Sequence, residues 1–410
     1  MKRVLIYVLC VAFVALGCQG QLRLVAEVKQ NINALSTSVE NFKNAQNKLK
    51  PALTNNESKD RAETWHVAGQ VQYGIYDKLM ANRAIGKKAD MALMAQSLLT
   101  GYNYFTTALR LDTILIVDKN GQPKVDKKTG QPKVKTKFSD DILSRLSSHL
   151  DAYNQMGSQM YNSKQWQTAI DLWEIYCSLG DRLGGVTSDS RARTRFHQGV
   201  AFWQAGDNRR AADMFATARG LGYVEKDAYD YALVCLSSVG DEAGVVGVAS
   251  DAFKRFGTAD PQYIRILINN DINQNNFARA DSLLDLAVAA DTADAELYNL
   301  KGLVVEHQHS LEEALPWFEH CIRLEPDNVQ GNYNVGRYYY NRASLESEKH
   351  SGARARRLAK LVNPIYKQAL PYLEKAYRLD PDNVDARNAL KNIYFKLGDG
   401  KKLEALEKNG

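Results

Sequence analysis

The side chains here with the most chemistry available to them are seven histidines and five cysteines. His307 and His309 stand two apart in "EHQHS", and His320 and Cys321 follow shortly after. Metal ligands on one helix face recur at a spacing of three or four, so a pair two apart diverges unless the segment is a turn. The expectation is a solvated turn between two helices. Cys10 and Cys18 belong to an apolar N-terminal stretch. Cys177, Cys235 and Cys321 are odd in number, far apart and each set in an apolar helical pattern. That favours small buried core residues over a disulfide framework. No glycine-rich phosphate loop, serine elbow or HExxH is present. The carboxylate pairs Asp140–Asp141 and Glu312–Glu313 fall at helix starts, where they complement the helix dipole. These residues predict no catalytic group, metal or cofactor, and a chain that binds rather than catalyses.

Charge narrows the partner. The net charge is +6 over 410 residues, spread along the chain. Nucleic-acid binding needs a concentrated basic face interleaved with aromatic rings. The densest cluster, Arg354, Arg356, Arg357 and Lys360 in "GARARRLAK", has no aromatic residue within it. It reads as a solvated or partner-facing helix, or as a contact for an acidic surface.

The elements that must position any site begin after a leader. Lys2 and Arg3 precede thirteen apolar residues, "VLIYVLCVAFVAL", too few to span a bilayer comfortably but suited to a secretory signal over 1–20. Cleavage after Gly17 or Gly20 fits the small residues of "ALGCQGQ". Alternatively "ALGC" resembles a lipobox, which would make Cys18 a lipidated first residue and the lipid the chain's only tie to a membrane. Either way the chain is expected to be exported, to a periplasm or an outer-membrane-associated position.

Beyond residue 60 the chain is periodic. Ala211, Val245, Ala280 and Ala314 stand at equivalent helical places, each roughly 34 residues from the last. "RRAADMFATA" (Ala211, Phe215, Ala218), "ARADSLLDLA" (Ala280, Leu284, Ala287) and "EEALPWFEHC" (Ala314, Phe318, Cys321) repeat one pattern. The clearest unit runs from Ala295 to Asn328, with Tyr298, Gly302, Ala314, Phe318 and a closing Pro326. Units start near Ala62, Leu150, Ala192, Lys226, Pro261, Ala295 and Val329, which predicts seven helix pairs and a polar C-terminal cap over 384–410. "RLEPDNV" at Arg323 and "RLDPDNV" at Arg378 close successive units, but they are separated by well over one period. About 21 extra residues must therefore sit between the two helices of the unit starting at Val329, near 342–363. Two segments lie outside the period. One is an amphipathic helix in 21–60 bearing Val28, Ile32, Leu35, Val39, Phe42 and Leu49. The other is the connector 113–137, where Gly-Gln-Pro-Lys-Val occurs twice in close succession and predicts a loop or short hairpin. It interrupts a degenerate unit over 61–149, and the regular array follows over 150–383.

A period of about 34 residues with these small and bulky positions resembles the tetratricopeptide repeat (TPR) family. The resemblance implies an all-α, right-handed superhelical solenoid of antiparallel helix pairs. In that family the first helix of each pair lines a concave groove that takes a protein or peptide. Carried onto this chain, the groove places are held by Tyr161, Arg193, Trp203, Arg265, Asn269, Asn299, Tyr333, Arg337 and Tyr340, together with Asn162, Phe196, Asn273, Glu306 and Asn341. A clamp for acidic peptide tails would need Arg265 and Asn269 plus an asparagine where Leu300 stands. The segments "KLKPALTNNESKDRAETWHVAGQVQYGIYDKL" and "YNSKQWQTAIDLWEIY", with the basic connector between them, also resemble exported TPR proteins of the Bacteroidota. That narrower resemblance implies an envelope scaffold with no catalytic residue to carry over. The other reading is a glycan-binding lipoprotein of a nutrient-uptake system, whose family carries longer insertions between its repeats.

Overall fold

The computed structural model describes residues 20–32, 38–350 and 355–408. The expected signal segment through residue 19, with Cys18, lies outside them. The described chain is helical except for one small β element, and it divides into two compact units, through Asp241 and from Glu242 onward.

In the first unit, α1 occupies 20–32 and α2 spans Val39–Thr54. One continuous helix was the expectation. Instead Ser38 takes an extended conformation and its hydroxyl accepts from the Asn41 amide at 3.1 Å, so α2 begins afresh with its own N-cap. The apolar stripe is still buried, at Val28, Phe42 and Leu49. Helices α3 (Ala62–Ala84) and α4 (Met91–Leu111) form the first pair, followed by α5 (Ser139–Ser148). Then come α6 (Leu150–Asn162) with α7 (Trp166–Leu183), α8 (Ser188–Gln204) with α9 (Asn208–Gly220), and α10 (Asp227–Ser238).

The second unit holds α11 (Glu242–Phe256), then the pairs α12 (Pro261–Asn273) with α13 (Phe277–Ala290) and α14 (Ala295–Gln308) with α15 (Leu311–Leu324). A longer pair, α16 (Val329–Lys349) and α17 (Ala355–Leu379), precedes α18 (Val384–Leu397) and α19 (Gly400–Lys408). The polar C-terminal cap is two helices: Gly398 at φ +74° stops α18 and lets α19 fold back to bury Leu406. Six of the seven expected pairs lie within one unit. The seventh is divided, α10 belonging to the first unit and α11 to the second, and it is a unit whose glycine place holds Leu233.

One contact explains why the pairs close. A Cβ on Gly199 would stand 2.7 Å from the Phe215 ring, and Gly302 and Phe318 are placed closer still. The glycine lets the aromatic ring of the second helix lie on the backbone of the first. Gly157 meets Trp173 in the same way, and all three pairs share one sequence separation. Gly69 meets Phe105 and Gly336 meets Leu373, contacts of one kind across more than twice that separation. The surplus therefore lies between the two helices in both units. After Gly336 it is mostly helix: α16 and α17 have 21 and 25 residues, against 14 each in α14 and α15. After Gly69 the helices α3 and α4 are themselves long, at 23 and 21 residues, and the connector follows α4.

That connector is a miniature sheet. Ile114 and Leu115 pair antiparallel with Lys135 and Val134, and single bridges join Val117 to Pro123 and Val125 to Pro132. Its ends are pinned by Asp112, which is 2% exposed. The Asp112 carboxylate accepts from the amides of Lys137 (3.0 Å), Phe138 (2.7 Å) and Ser139 (2.8 Å), and from the Ser139 hydroxyl (2.8 Å). Burial works against its charge, but these donors hold its pKa below the ordinary aspartate value. Asp112 thus caps the start of α5 from the far side of the connector.

Candidate functional site

Helix α8 carries the groove places of its repeat on one side. Arg193 is exposed and pairs with Asp189 one turn earlier at 3.0 Å, an arrangement of two solvated groups that leaves its fork accessible. Phe196 is buried against the ring of Tyr223, with centroids 4.6 Å apart and planes 9° apart. Trp203 sits about two turns further along α8, 5.0 Å from Tyr231 of α10. Tyr231 in turn stacks on Phe215 at 5.7 Å. On the other side of Phe196, His197 stacks on Trp173 at 6.0 Å, and Trp173 neighbours Tyr161 of α6 at 6.0 Å. Tyr161 also leans on Trp166 at 5.0 Å. The result is an aromatic strip across α6, α8 and α10 of the first unit, in which Tyr161, Trp203, Tyr223 and Tyr231 are half-buried and offer both ring area and a polar tip. The Tyr223 hydroxyl bonds Asp227; burial and then the Asp227 and Glu225 charges push its pKa up to about 12. The same crowding, burial first, raises Asp227 above the usual aspartate value.

In the second unit the candidates are differently placed. Arg265 is ion-paired with Asp294, and both line a cleft of about 220 Å³ with Ile264 and Leu297 at its apolar wall. Asn269 is exposed one turn along α12. Asn299 is buried at 2% exposure and its side-chain oxygen accepts from Asn334 at 2.9 Å, a bridge between α14 and α16. Arg337 grips Glu306 with both terminal nitrogens, one at 2.8 Å, and reaches Asn334 at 3.3 Å. Its guanidinium also lies 5.9 Å from the Tyr333 ring. The Tyr340 hydroxyl accepts from Asn392 at 2.8 Å. The two candidate arginines of this unit, Arg265 and Arg337, are therefore each matched by a carboxylate from a neighbouring repeat, and Asn299 is spent on holding two repeats together. Asn162, Asn273 and Asn341 are exposed.

Sequence reasoning missed Tyr223 and Tyr231. Tyr223 lies in the link after α9, outside any groove place. Tyr231 follows from α10 beginning at Asp227, and the aromatic side chains repeated around it were the signal available. The residues first considered for chemistry are dispersed. His307 stacks flat on Phe277 at 4.4 Å, His320 on Tyr298 at 4.1 Å, and His309 caps the end of α14. Cys177, Cys235 and Cys321 are buried, and burial pushes their thiols up to about 11, 11 and 12.

A separate polar cluster ties α5 to α3. His66 of α3 donates to Asp141 of α5 at 2.7 Å, and His149 at the end of α5 donates to Asp77 of α3 at 2.8 Å. Burial lowers the pKa of His66 despite its partner. At His149 burial also acts downward, but the bond and charge of Asp77 outweigh it and raise the pKa.

Comparison with known proteins gives tetratricopeptide-repeat matches over residues 267–329 and 366–402. Among curated proteins, Protein O-mannosyl-transferase Tmtc3 of Drosophila melanogaster is 27% identical over 115 residues, 28% of this chain and 12% of that protein. The mouse protein of the same name is 29% identical over 111 residues, 27% of this chain and 10% of its own length. The chain thus spans a small fraction of these relatives. Among solved structures, MamA from Desulfovibrio magneticus RS-1 is 16% identical, covering 47% of this chain and 97% of its own, with a TM-score of 0.35. A C-terminal part of a TPR repeat-containing protein from Cytophaga hutchinsonii is 15% identical over 62% of this chain and 93% of its own, with a TM-score of 0.38. YrrB, described as a TPR protein with an unusual peptide-binding site, is 15% identical over 62% of this chain and 97% of its own, with a TM-score of 0.24.

Proposed function

We propose that this chain, a tetratricopeptide-repeat protein, is a scaffold of the bacterial cell envelope that binds an extended protein segment and performs no catalysis of its own. The repeats make it a protein-interaction module. The site is the aromatic strip of α6, α8 and α10, and the observation that carries this choice is its composition. Aromatic side chains with polar tips beside an exposed arginine are the groups that dominate binding at protein interfaces. In the second unit Arg265 and Arg337 are already matched by Asp294 and Glu306, so an acidic ligand there would have to displace an existing partner. In the strip Arg193 bonds Asp189 through Nε alone, both side chains are exposed, and its two terminal nitrogens are left for a ligand. The transferase name of the curated relatives does not alter this reading, because the match covers 12% or less of their length. Export, and a lipid anchor at Cys18, belong to the same proposal and rest on the leader's composition.

The test is selection of displayed random peptides on the purified chain, followed by titration of the best binders. Replacing Trp203 or Arg193 by alanine should weaken a selected peptide about thirtyfold, the loss typical of an anchor residue. Arg337→Ala serves as the comparison and should leave that peptide's affinity within about threefold. Peptides that bind Trp203→Ala and Arg193→Ala as tightly as the parent would remove the strip as the site. Retention of glycans on an array, with no peptide selected, would favour the nutrient-uptake reading instead.

A further inference from the structure

The duplicated connector contributes no residue to the aromatic strip. In an antiparallel ladder, directly opposed residues share a face, and so do residues two apart along a strand. The pairings Leu115–Val134, Val117–Pro123 and Val125–Pro132 therefore put all six of these side chains on one face. The backbone closes the arrangement: the Ile116 amide donates to Lys133, Lys124 to Ile116 and Lys133 to Lys124, so three short strands meet in a ring. The tandem Pro-Lys-Val supplies two of its three sides. The apolar face is not covered. Leu115, Val117, Val125 and Val134 are 48–53% exposed, as is Ile114, which alternates to the opposite face. Among the described residues they are five of the nine large apolar side chains exposed in the first unit.

The same segment carries seven lysines, at 119, 124, 127, 128, 133, 135 and 137, against two aspartates. Both aspartates are engaged by turn amides: Asp118 accepts from those of Asn120 and Gln122 at the first tip, and Asp126 from those of Lys128 and Thr129 at the second. Only Lys133 has a carboxylate within ion-pair distance among the described residues, Asp126 at 3.8 Å. Lys119, Lys127 and Lys128 stand at the two tips that border the apolar face.

We infer that this element is an interfacial anchor for an anionic lipid bilayer. The apolar face and the lysines coincide on one small element. An acidic protein or polysaccharide would satisfy the lysines and leave the four aliphatic side chains of the apolar face in water. A bilayer interface takes both, accepting the apolar face at the headgroup boundary while lysine stems extend their ammonium groups to the phosphates. The contact is peripheral, since no helix among the described residues is long and apolar enough to cross a membrane. Asp112 gives the element a fixed base on α4 and α5, so docking need not be preceded by ordering of its ends.

The test is co-sedimentation with vesicles, using the full chain carrying Cys18→Ser so that no lipid chain contributes. The vesicles are phosphatidylcholine alone, or about three parts of it to one part phosphatidylglycerol. Binding is expected only with the anionic lipid and should fall as salt rises. Replacing Lys119, Lys127 and Lys128 by glutamine should weaken it about fivefold per lysine. Replacing Val117, Val125 and Val134 together by serine should weaken it at least tenfold at constant charge, with helix content unchanged by circular dichroism. Equal binding to both vesicles, or to neither, overturns the inference. So does a serine variant that binds like the parent while polyglutamate displaces both, which would identify a site for acidic polymers.

Discussion

Replacing Asp112 by alanine tests how the excursion over 113–137 is held on a helical scaffold. The parent carboxylate accepts from three amides and one hydroxyl at 2.7–3.0 Å while 2% exposed. Hydrogen bonds to a charged group contribute about 1.5–3 kcal/mol each, but removing one acceptor removes them together and the contributions do not add. In the variant the Phe138 amide is left buried without a partner, about 1–3 kcal/mol, and α5 loses a negative charge at its N-terminus, roughly another 0.5–1 kcal/mol. The expected loss is about 3 kcal/mol, a large part of the roughly 5–15 kcal/mol that stabilises a folded domain. Urea unfolding followed by far-ultraviolet circular dichroism should show the midpoint falling by about 1–1.5 M for a slope of about 2–3 kcal/mol/M. Trypsin, which cuts after lysine, should reach 119–137 sooner. Because the folded pKa is depressed, the Asp112 contribution is complete above the unfolded value of about 3.9 and is lost as pH falls through the lower folded value. The gap between parent and variant should thus be constant from about pH 5 to 8 and close under acid. An unchanged urea midpoint with an unchanged tryptic pattern would refute the capping argument.

Other consequences follow from single contacts. Gly199→Ala forces a methyl within 2.7 Å of the Phe215 ring and should cost about 1–3 kcal/mol, whereas Gly247→Ala in α11, with nothing within 4 Å, should be neutral or stabilising by up to about 1 kcal/mol; equal effects in thermal melts would count against close approach as the glycine's role. His149 has a raised folded pKa, so the stability it gains from Asp77 is full below the unfolded value of about 6.5 and is lost as pH rises through the folded one. His149→Gln should therefore differ from the parent more at pH 5.5 than at pH 8.5 in urea unfolding, and a difference that grows with pH would contradict the pairing. Cys177, Cys235 and Cys321 should resist a thiol reagent at about pH 8 until denaturant is added, since burial keeps all three as thiols; rapid labelling of any one in the native state would show its helix interface to be open.

What the sequence determined by itself is the repeat. A period of about 34 residues is written in residue size, because a glycine and an aromatic ring at one fixed separation can meet only if two helices turn back on each other. Residue size marked Gly302 and Phe318 in their repeat, and the period counted the surplus within the unit starting at Val329 without any coordinates. In the structure the side chains of Asp207, Asn328 and Asn383 cap their own helices. The tertiary structure decided which candidates are available to a partner. Arg337 reads as a free guanidinium in its own repeat, and its neutralisation by Glu306 of the preceding repeat depends on how α14 and α16 pack. Asn299 reads as a groove residue until Asn334 turns it into an inter-repeat bridge. The aromatic strip takes Tyr223 from a link and Tyr231 from the next helix, and no periodicity aligns those with Phe196. The connector shows the same division. Its duplication was visible, but the shared apolar face exists only because three strands close into a ring. The ring is held in place because Asp112 binds the amides of Lys137, Phe138 and Ser139 across the whole connector, and no spacing rule links them to it.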